Sequence, residues 1–183
     1  MLETKASYLI LEDIEHNQAT KTIRVFNNQL QFKSKDLFNL LEEAQAVALL
    51  AVTIGAKLEN KVEELFEEGE FTQATILDAI GSVAVEEVAN DISNLIKKEA
   101  DNKKLSYSTM RYSPGYGDLD LNIQPKLLKL LQGDKLKITA NSSYLLSPQK
   151  SITAVIGLSD QAFSVKTGCN FNCNLCKFEH CIY

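Results

Sequence analysis

The sequence predicts an α+β fold in a single domain, with a twisted mixed or antiparallel sheet flanked by helices. Short apolar or alternating runs of strand length recur along the chain, and segments with helical periodicity separate them. The chain has 183 residues, of which 45% are hydrophobic and 23% charged. These values are those of an ordinary globular protein, and the length suits one well-filled core.

Strands are predicted where apolar residues alternate with polar ones or form a short continuous run. The predicted strands span residues 6–11, 22–32, 47–54, 105–111, 136–139 and 151–158. Three short helices are predicted between them. Ser34 and Asp36 begin the first, which covers about residues 36–45. The acidic run KLENKVEELFEEG forms the second and ends at Gly69, and IQPKLLKLLQG forms the third and is closed by Gly133.

The longest helix is predicted from about Thr72 to Glu99. Apolar residues at spacings of three and four form one stripe along it. This stripe consists of Leu77, Ile80, Ala84, Val88, Ile92 and Leu95. Glu86 falls almost opposite the stripe on a helical wheel, so periodicity predicts a solvated surface carboxylate there.

Charge and hydropathy exclude several classes of function. The net charge is −5 and no dense block of Lys or Arg occurs, so a nucleic-acid partner is not expected. The sequence has neither a signal-peptide pattern nor a run of 18 apolar residues, so we expect a cytoplasmic protein without a membrane span. The four cysteines all lie in the last 15 residues. In a reducing compartment they are better metal ligands or redox thiols than disulfides.

The segment RYSPGYGD, residues 111–118, has the composition of a ligand-binding loop at the end of a strand. Pro114 fixes one φ angle, and Gly115 permits the positive φ of a type II turn while letting a ligand approach the backbone. Arg111 offers a planar fork suited to a carboxylate, and Tyr116 offers a ring face and a hydroxyl. The alternative interpretation is a structural turn with a surface arginine.

The order of motifs resembles the activation domain of cobalamin-dependent methionine synthase. The segment MRYSPGYGD is followed by a helix with KLLKLL, a strand with KIT and then SSYLLSPQKSI, and the resemblance covers about residues 75–158. It is similar to a free-standing small version of that domain, which tends to end in a cysteine cluster. The expected organisation is an activation-domain-like α+β domain over residues 1–165 with a cysteine-rich tail over residues 166–183.

The resemblance implies a site for S-adenosylmethionine (AdoMet). In that family the Arg and Tyr of an Arg-x-x-Pro-Gly-Tyr motif bind AdoMet together with the backbone of the same turn. The matching positions are Arg111, Ser113, Gly115 and Tyr116. A glutamate on the preceding long helix also contributes in the family, and the segment VAVEEVANDI aligns it with Glu86.

The second motif departs from the family pattern. Asn141, Ser142 and Ser143 stand where the family usually has Thr-Glu-Ser, so a carboxylate is missing. Three later positions still match in place, and their structural interpretation is a strand edge and a turn that fix loop geometry. They are Tyr144, Pro148 and Ser151.

The implied function is reactivation of a corrinoid cofactor. In the family, cobalamin oxidised to cobalt(II) receives an electron from a flavodoxin- or ferredoxin-type donor, and AdoMet traps the reduced cobalt by methylating it. The chain contains no Asp-x-His-x-x-Gly corrinoid-ligand motif. The cobalamin is therefore expected on a partner, either a methionine synthase or another corrinoid protein, with this chain as an accessory component.

Four cysteines form the second candidate site, at Cys169, Cys173, Cys176 and Cys181. Four closely spaced thiolates can complete a tetrahedral zinc site or hold an iron-sulfur cluster. Free or redox-active thiols and disulfides are the alternatives, and His180 can replace one thiolate.

Two hypotheses follow from these motifs. The first is an AdoMet-binding reactivation factor, favoured by the presence of Arg111, Tyr116 and Glu86. The second is a non-catalytic metal-binding adaptor whose activation-domain fold has lost its ligand, favoured by Asn141 and Ser142.

Overall fold

The computed structural model describes residues 2–25, 27 and 29–164. In these ranges the strands are β1 (Lys5–Leu11), β2 (Ile14–Asn17), β3 (Thr22–Val25), β4 (Leu30–Lys33), β5 (Ala46–Thr53), β6 (Tyr107–Ser108), β7 (Thr139–Ala140), β8 (Leu146–Ser147) and β9 (Ser151–Ser159). The α-helices are α1 (Lys35–Leu41), α2 (Lys57–Glu67), α3 (Phe71–Asn102), α4 (Gln124–Leu130) and α5 (Gly133–Leu136), and a 3-10 helix covers Leu121–Ile123.

Three sheets organise the described strands. The largest has the order β1-β5-β9-β6, the second is the meander β2-β3-β4 and the third is the pair β7-β8. The pairs β2-β3, β3-β4, β6-β9 and β7-β8 are all antiparallel. Strand β5 is buried at every position, as expected for the apolar segment AVALLAVT. The predicted α+β class is confirmed.

The chain divides into two units of residues that contact one another. The first comprises residues up to Leu9, Leu50–Leu95 and Leu121–Thr153. The second comprises Ile10–Leu49, Ile96–Asp120 and the described residues from Ala154 onward.

In the first unit, the buried face of α3 differs from the predicted apolar stripe. Two residues of that stripe are largely exposed, Ile80 at 53% and Leu95 at 48%. The buried positions carry smaller residues instead, namely Ala74, Gly81, Val85 and Ala89. A Cβ on Gly81 would lie 2.7 Å from Leu58 Cδ2. The helix therefore buries small side chains because its neighbours lie too close for large ones.

Helix ends follow the predicted chemistry at two positions. The hydroxyl of Ser34 accepts a hydrogen bond of 2.9 Å from Leu37 N–H, which caps the start of α1. Gly69 has φ of 82° just beyond α2, and Glu70 N–H donates to the Leu65 carbonyl at 2.8 Å. This is the left-handed C-terminal geometry that glycine favours.

The prediction that Gly133 closes a helix is wrong, because Gly133 is the first residue of α5. The left-handed conformation falls on its neighbour Gln132, with φ of 56°. A Cβ on Gly133 would approach both the Ile138 carbonyl and Leu128 Cβ to 3.0 Å. Close packing, rather than a positive φ, explains the glycine here.

Several strand predictions need correction. Residues 22–32 contain two antiparallel strands, β3 and β4, rather than one strand. Of residues 136–139, Leu136 is the last residue of α5 and Thr139 is the first residue of β7, and the two residues between them lie outside both elements. The segment 105–111 pairs only at β6, and β2 was not predicted because IEHN is short and largely polar.

Candidate functional site

The segment that carries Arg111 lies beside strand β9. Thr109 N–H donates to the Gly157 carbonyl at 2.9 Å. Tyr112 and Val155 exchange two backbone hydrogen bonds of 2.9 Å in an antiparallel bridge. The main chain on both sides of Arg111 is therefore fixed to a buried strand, and its half-buried side chain leaves from a rigid position.

Residues 113–116 form the predicted type II turn. Tyr116 N–H donates to the Ser113 carbonyl at 3.0 Å, and Gly115 has φ of 92°. The loop then closes on itself, because Gly115 N–H donates to the Leu119 carbonyl at 2.8 Å and Leu119 N–H donates to the Tyr116 carbonyl at 3.0 Å. Tyr116 keeps 50% of its surface exposed, so its ring remains available to a ligand.

Tyr112 supports this turn. Its side chain is only 3% exposed, and its hydroxyl donates to the Tyr116 carbonyl at 3.1 Å. The two tyrosine rings meet edge to face with centroids 6.0 Å apart. Burial, followed by the negative charges of Asp36 and Asp118, raises the pKa of Tyr112 to about 12. The phenol is therefore a neutral hydrogen-bond donor at physiological pH.

Ionisation of Tyr112 is expected to destabilise the fold at high pH. A tyrosine in the unfolded chain ionises near pH 10. Because the folded pKa is raised to about 12, the stabilisation from the neutral phenol is complete below pH 10 and is lost as the pH rises towards 12. The midpoint of urea unfolding should therefore fall more steeply between these pH values in the wild type than in Tyr112→Phe. Tyr107→Phe, at a tyrosine 46% exposed, is the control and should keep the steep fall. Equal slopes in the wild type and Tyr112→Phe would contradict the assignment.

Asp118, the last residue of RYSPGYGD, binds the start of helix α1. Its carboxylate accepts hydrogen bonds from Lys35 N–H at 2.7 Å, from Asp36 N–H at 3.2 Å and from the Ser34 hydroxyl. Partial burial alone would raise the pKa of Asp118, but the hydrogen bonds from Ser34, Lys35 and Asp36 outweigh it and lower the pKa. The stabilisation is therefore present above the ordinary pKa of an aspartate and is lost as the pH falls through the lowered value.

Four of the five proposed AdoMet contacts lie in this one loop. Arg111, Ser113, Gly115 and Tyr116 belong to the second unit and are brought together by the turn. Glu86 belongs to the first unit, where it lies midway along α3. Its side chain is exposed, which confirms the exposure predicted from periodicity.

The second motif forms the hairpin β7-β8, and Asn141 shapes its loop. The Asn141 side-chain oxygen accepts hydrogen bonds from Ser143 N–H at 2.9 Å and from Leu145 N–H at 3.0 Å. Tyr144, in the left-handed region with φ of 63°, donates its N–H to the Asn141 carbonyl. This side-chain-to-backbone pattern is typical of asparagine in turns. Asn141 therefore has a structural role in place of the family's usual Thr.

The end of the same motif is anchored within the first unit. Gln149 N–H donates to the Glu59 carboxylate at 2.7 Å. The Lys150 ammonium, 12% exposed, lies 2.7 Å from Asp78 Oδ1 and 2.9 Å from Ser82 Oγ. Ser151, predicted to begin a strand, is the first residue of β9; it is buried and donates its hydroxyl proton to Thr53 Oγ1 at 2.8 Å.

Two further expectations concern metals and membranes. Cys169, Cys173, Cys176 and Cys181 lie outside the described residues, as does His180. Within residues 2–25, 27 and 29–164, no three His, Cys, Asp or Glu side chains are grouped to hold a metal ion. Over the same part of the chain, no helix combines the length and the apolar character needed to cross a bilayer.

The fold and the loop together define an α+β domain with an Arg-x-x-Pro-Gly-Tyr turn that follows a segment paired with the buried strand β9. Residues 6–168 match the family described as vitamin B12 dependent methionine synthase, activation domain. The match covers most of the chain, and the chain therefore belongs to this family. The resemblance predicted from the sequence is confirmed.

Individual relatives extend this assignment. A methionine synthase from Mycobacterium leprae (strain TN) is 25% identical over 142 residues, which cover 68% of this chain and 12% of that protein. The crystal structure of the MetH reactivation domain bound to AdoHcy matches with a TM-score of 0.67 at 13% identity, over 88% of this chain and 60% of that chain. At this identity the structural match establishes the fold. The chain thus corresponds to a small part of the methionine synthase and to less than two thirds of the solved chain.

Proposed function

We propose that this protein binds AdoMet and supports the reductive methylation of a cobalamin carried by a separate protein. The observation that carries the proposal is the type II turn, which presents Arg111, Gly115 and Tyr116 from a fixed strand exit. The solved relative with the same fold is bound to AdoHcy, which is what AdoMet becomes after methyl transfer. A ligand of this class therefore fits the proposal.

The chemistry of the loop suits the polar parts of AdoMet. Arg111 can hold a carboxylate through two parallel hydrogen bonds. Gly115 lets the ligand approach the main chain, and Ser113 adds polar groups on the same turn. Tyr116 provides an exposed ring face for the adenine or the sulfonium. We propose Glu86 as a further contact, because a carboxylate favours the cationic groups of the ligand.

Calorimetric titration of the purified protein with AdoMet tests this function. The reactivation factor should bind AdoMet with one site per chain, and replacement of Arg111 should weaken that binding. The competing proposal is a non-catalytic adaptor, which the replacement of the family's carboxylate by Ser142 favours. An adaptor that has lost its ligand should give no heat of binding with AdoMet or AdoHcy.

The role of the protein would be to position AdoMet for methyl transfer. Holding the methyl group of AdoMet over a reduced cobalt needs orientation and electrostatics rather than a side-chain acid or base. We propose that the cobalamin belongs to a methionine synthase or a related corrinoid protein in the cytoplasm, and that a flavodoxin- or ferredoxin-type protein supplies the electron.

The isolated protein is expected to bind cobalamin poorly, because its sequence lacks the corrinoid-ligand motif. It should instead form a complex with a corrinoid protein, and the complex should be stronger for the cobalt(II) form than for the methylated form. A pull-down with the partner poised in each state measures this difference. The same corrinoid protein stripped of cobalamin is the control. Tight stoichiometric cobalamin on the isolated chain would contradict the proposal.

We also propose that residues 166–183 form a tail that binds a metal through its cysteines. Four thiolates in thirteen residues, from Cys169 to Cys181, are a donor set suited to zinc or to an iron-sulfur cluster. The family match covers residues 6–168 and does not include the cysteines.

A further inference from the structure

We infer that Asp118 is a positioning residue for the ligand-binding turn, acting through its contacts with the start of helix α1. The inference rests on the proposed AdoMet site and assigns a role to a residue that the ligand itself does not need to touch. Ser34, which lies 84 residues earlier in the chain, donates its hydroxyl proton to the Asp118 carboxylate and is the second residue of this contact.

Asp118 fixes the C-terminal end of the loop to the start of α1. Its two carboxylate oxygens accept three hydrogen bonds, from the Ser34 hydroxyl and from the N–H groups of Lys35 and Asp36. A carboxylate at a helix start is favoured both by the free N–H groups and by the helix dipole. Ser34 is 4% exposed and its hydroxyl also accepts a hydrogen bond from Leu37 N–H, so the start of α1 that Asp118 contacts is held rigidly.

The residues between Asp118 and Tyr116 transmit this anchor to the turn. Gly117 has φ of 50°, and a Cβ placed on it would overlap both the Asp36 carboxylate and the Tyr112 hydroxyl. A side chain at this position would therefore clash with Asp36, which binds Asp118 through its N–H, and with Tyr112. The Tyr116 carbonyl accepts from both the Tyr112 hydroxyl and Leu119 N–H. The attachment of Asp118 to α1 therefore acts together with these bonds to fix the conformation of the chain at Tyr116.

Loss of Asp118 is expected to affect the turn more than the helix. Lys35 is exposed and Asp36 is half-buried, so water can replace the carboxylate at their N–H groups. The Ser34 hydroxyl keeps its own capping bond to Leu37. The hydrogen bonds of Asp118 join the loop end to α1, so their loss releases that end of the loop. A merely structural residue would lower the stability of the protein without changing the ligand affinity of molecules that remain folded.

The test compares Asp118→Ala, Asp118→Asn and Ser34→Ala with Asp160→Asn, an exposed aspartate of the same unit that serves as the matched control. AdoMet affinity is measured by calorimetry at a temperature where circular dichroism shows each variant folded. Asp118→Ala should weaken binding about tenfold, the equivalent of one charge-assisted hydrogen-bond anchor. Asp118→Asn should lie between Asp118→Ala and the wild type, because its amide oxygen still accepts one N–H. Asp160→Asn should match the wild type.

Two further readouts separate positioning from a general structural effect. In a double-mutant cycle with Tyr116→Ala, the loss of AdoMet affinity caused by Asp118→Ala should shrink to less than about twofold. The reason is that Asp118 would act by positioning the Tyr116 ring, which Tyr116→Ala already removes. Without ligand, amide hydrogen exchange over residues 113–119 should accelerate in Asp118→Ala while exchange in β9 stays unchanged.

The outcomes are distinguishable from those that test the proposed function. If the wild type binds AdoMet and Arg111→Ala binds it more weakly, but Asp118→Ala binds normally, the positioning role is wrong and the site stands. Fully additive effects in the cycle would also overturn it. If the wild type binds no AdoMet, the proposed function fails and the positioning role fails with it.

Discussion

Arg111→Ala is expected to weaken AdoMet binding by about 1.5–3 kcal/mol, which is roughly a ten- to 150-fold loss of affinity. This range is that of a hydrogen bond to a charged partner in a partly buried site. Arg111 is half-buried, and its main chain is held by the bridge between Tyr112 and Val155. This bridge is expected to hold the main chain in place when the side chain is removed. Calorimetry gives the affinity, and thermal unfolding checks that the fold is intact.

The chain offers a matched control for this experiment. Arg24 is its other arginine and is exposed on strand β3, so Arg24→Ala removes the same charge elsewhere in the same unit. AdoMet affinity should not change in Arg24→Ala. Arg111→Lys should restore binding only in part, because an ammonium cannot reproduce the planar two-point contact of a guanidinium. Wild-type affinity in Arg111→Ala would remove Arg111 from the site.

Local chemistry in the sequence predicts local structure well where one residue decides the outcome. The type II turn follows from a Pro-Gly pair, and Gly115 has the positive φ that the pair requires. The cap at Ser34 and the C-terminal glycine at Gly69 are further examples. In each of them the backbone preference of one residue type is enough, and no distant contact has to be known.

Prediction fails where packing, rather than propensity, selects the conformation. The buried face of α3 is set by neighbours such as Leu58, which leave room for Gly81 but not for the larger residues of the predicted stripe. The left-handed residue before α5 is Gln132, and the adjacent Gly133 is required by its distance to Leu128. Such choices depend on tertiary contacts that periodicity does not contain.

The candidate site also combines features that local sequence predicts with features that depend on tertiary contacts. Arg111 and Tyr116 can be identified because their side chains carry the recognition chemistry within one short motif. The support of the motif could not be identified, because Asp118 meets Ser34 across 84 residues of sequence. The sequence contained a partial signal, since Ser34 was predicted to begin a helix whose free N–H groups need acceptors. Which carboxylate supplies them is decided by the fold.

Deletion of residues 166–183 is expected to leave the domain folded and its AdoMet affinity largely unchanged, because the proposed AdoMet contacts, from Glu86 to Tyr116, all precede these residues in the sequence. The buried apolar residues of the described chain end at Leu158. Ser164, which the deletion retains, binds the Glu43 carboxylate through both its N–H, at 2.6 Å, and its hydroxyl. The second unit therefore keeps its last described anchor. Calorimetry and thermal unfolding of the truncated protein measure these two properties.

The same deletion should remove the bound metal. The full chain purified in air is expected to carry close to one zinc per chain, or, purified without oxygen, the visible absorption of an iron-sulfur cluster. Replacement of Cys169, Cys173, Cys176 and Cys181 by serine is the control, because it removes the thiolates and keeps the length of the tail. Loss of cobalamin reactivation in both variants, with AdoMet affinity retained, would give the cysteines a part in electron delivery. Reactivation that persists would restrict the metal to a structural role. Metal analysis that finds neither zinc nor iron in either preparation would contradict the proposed metal site and leave redox thiols as the better account.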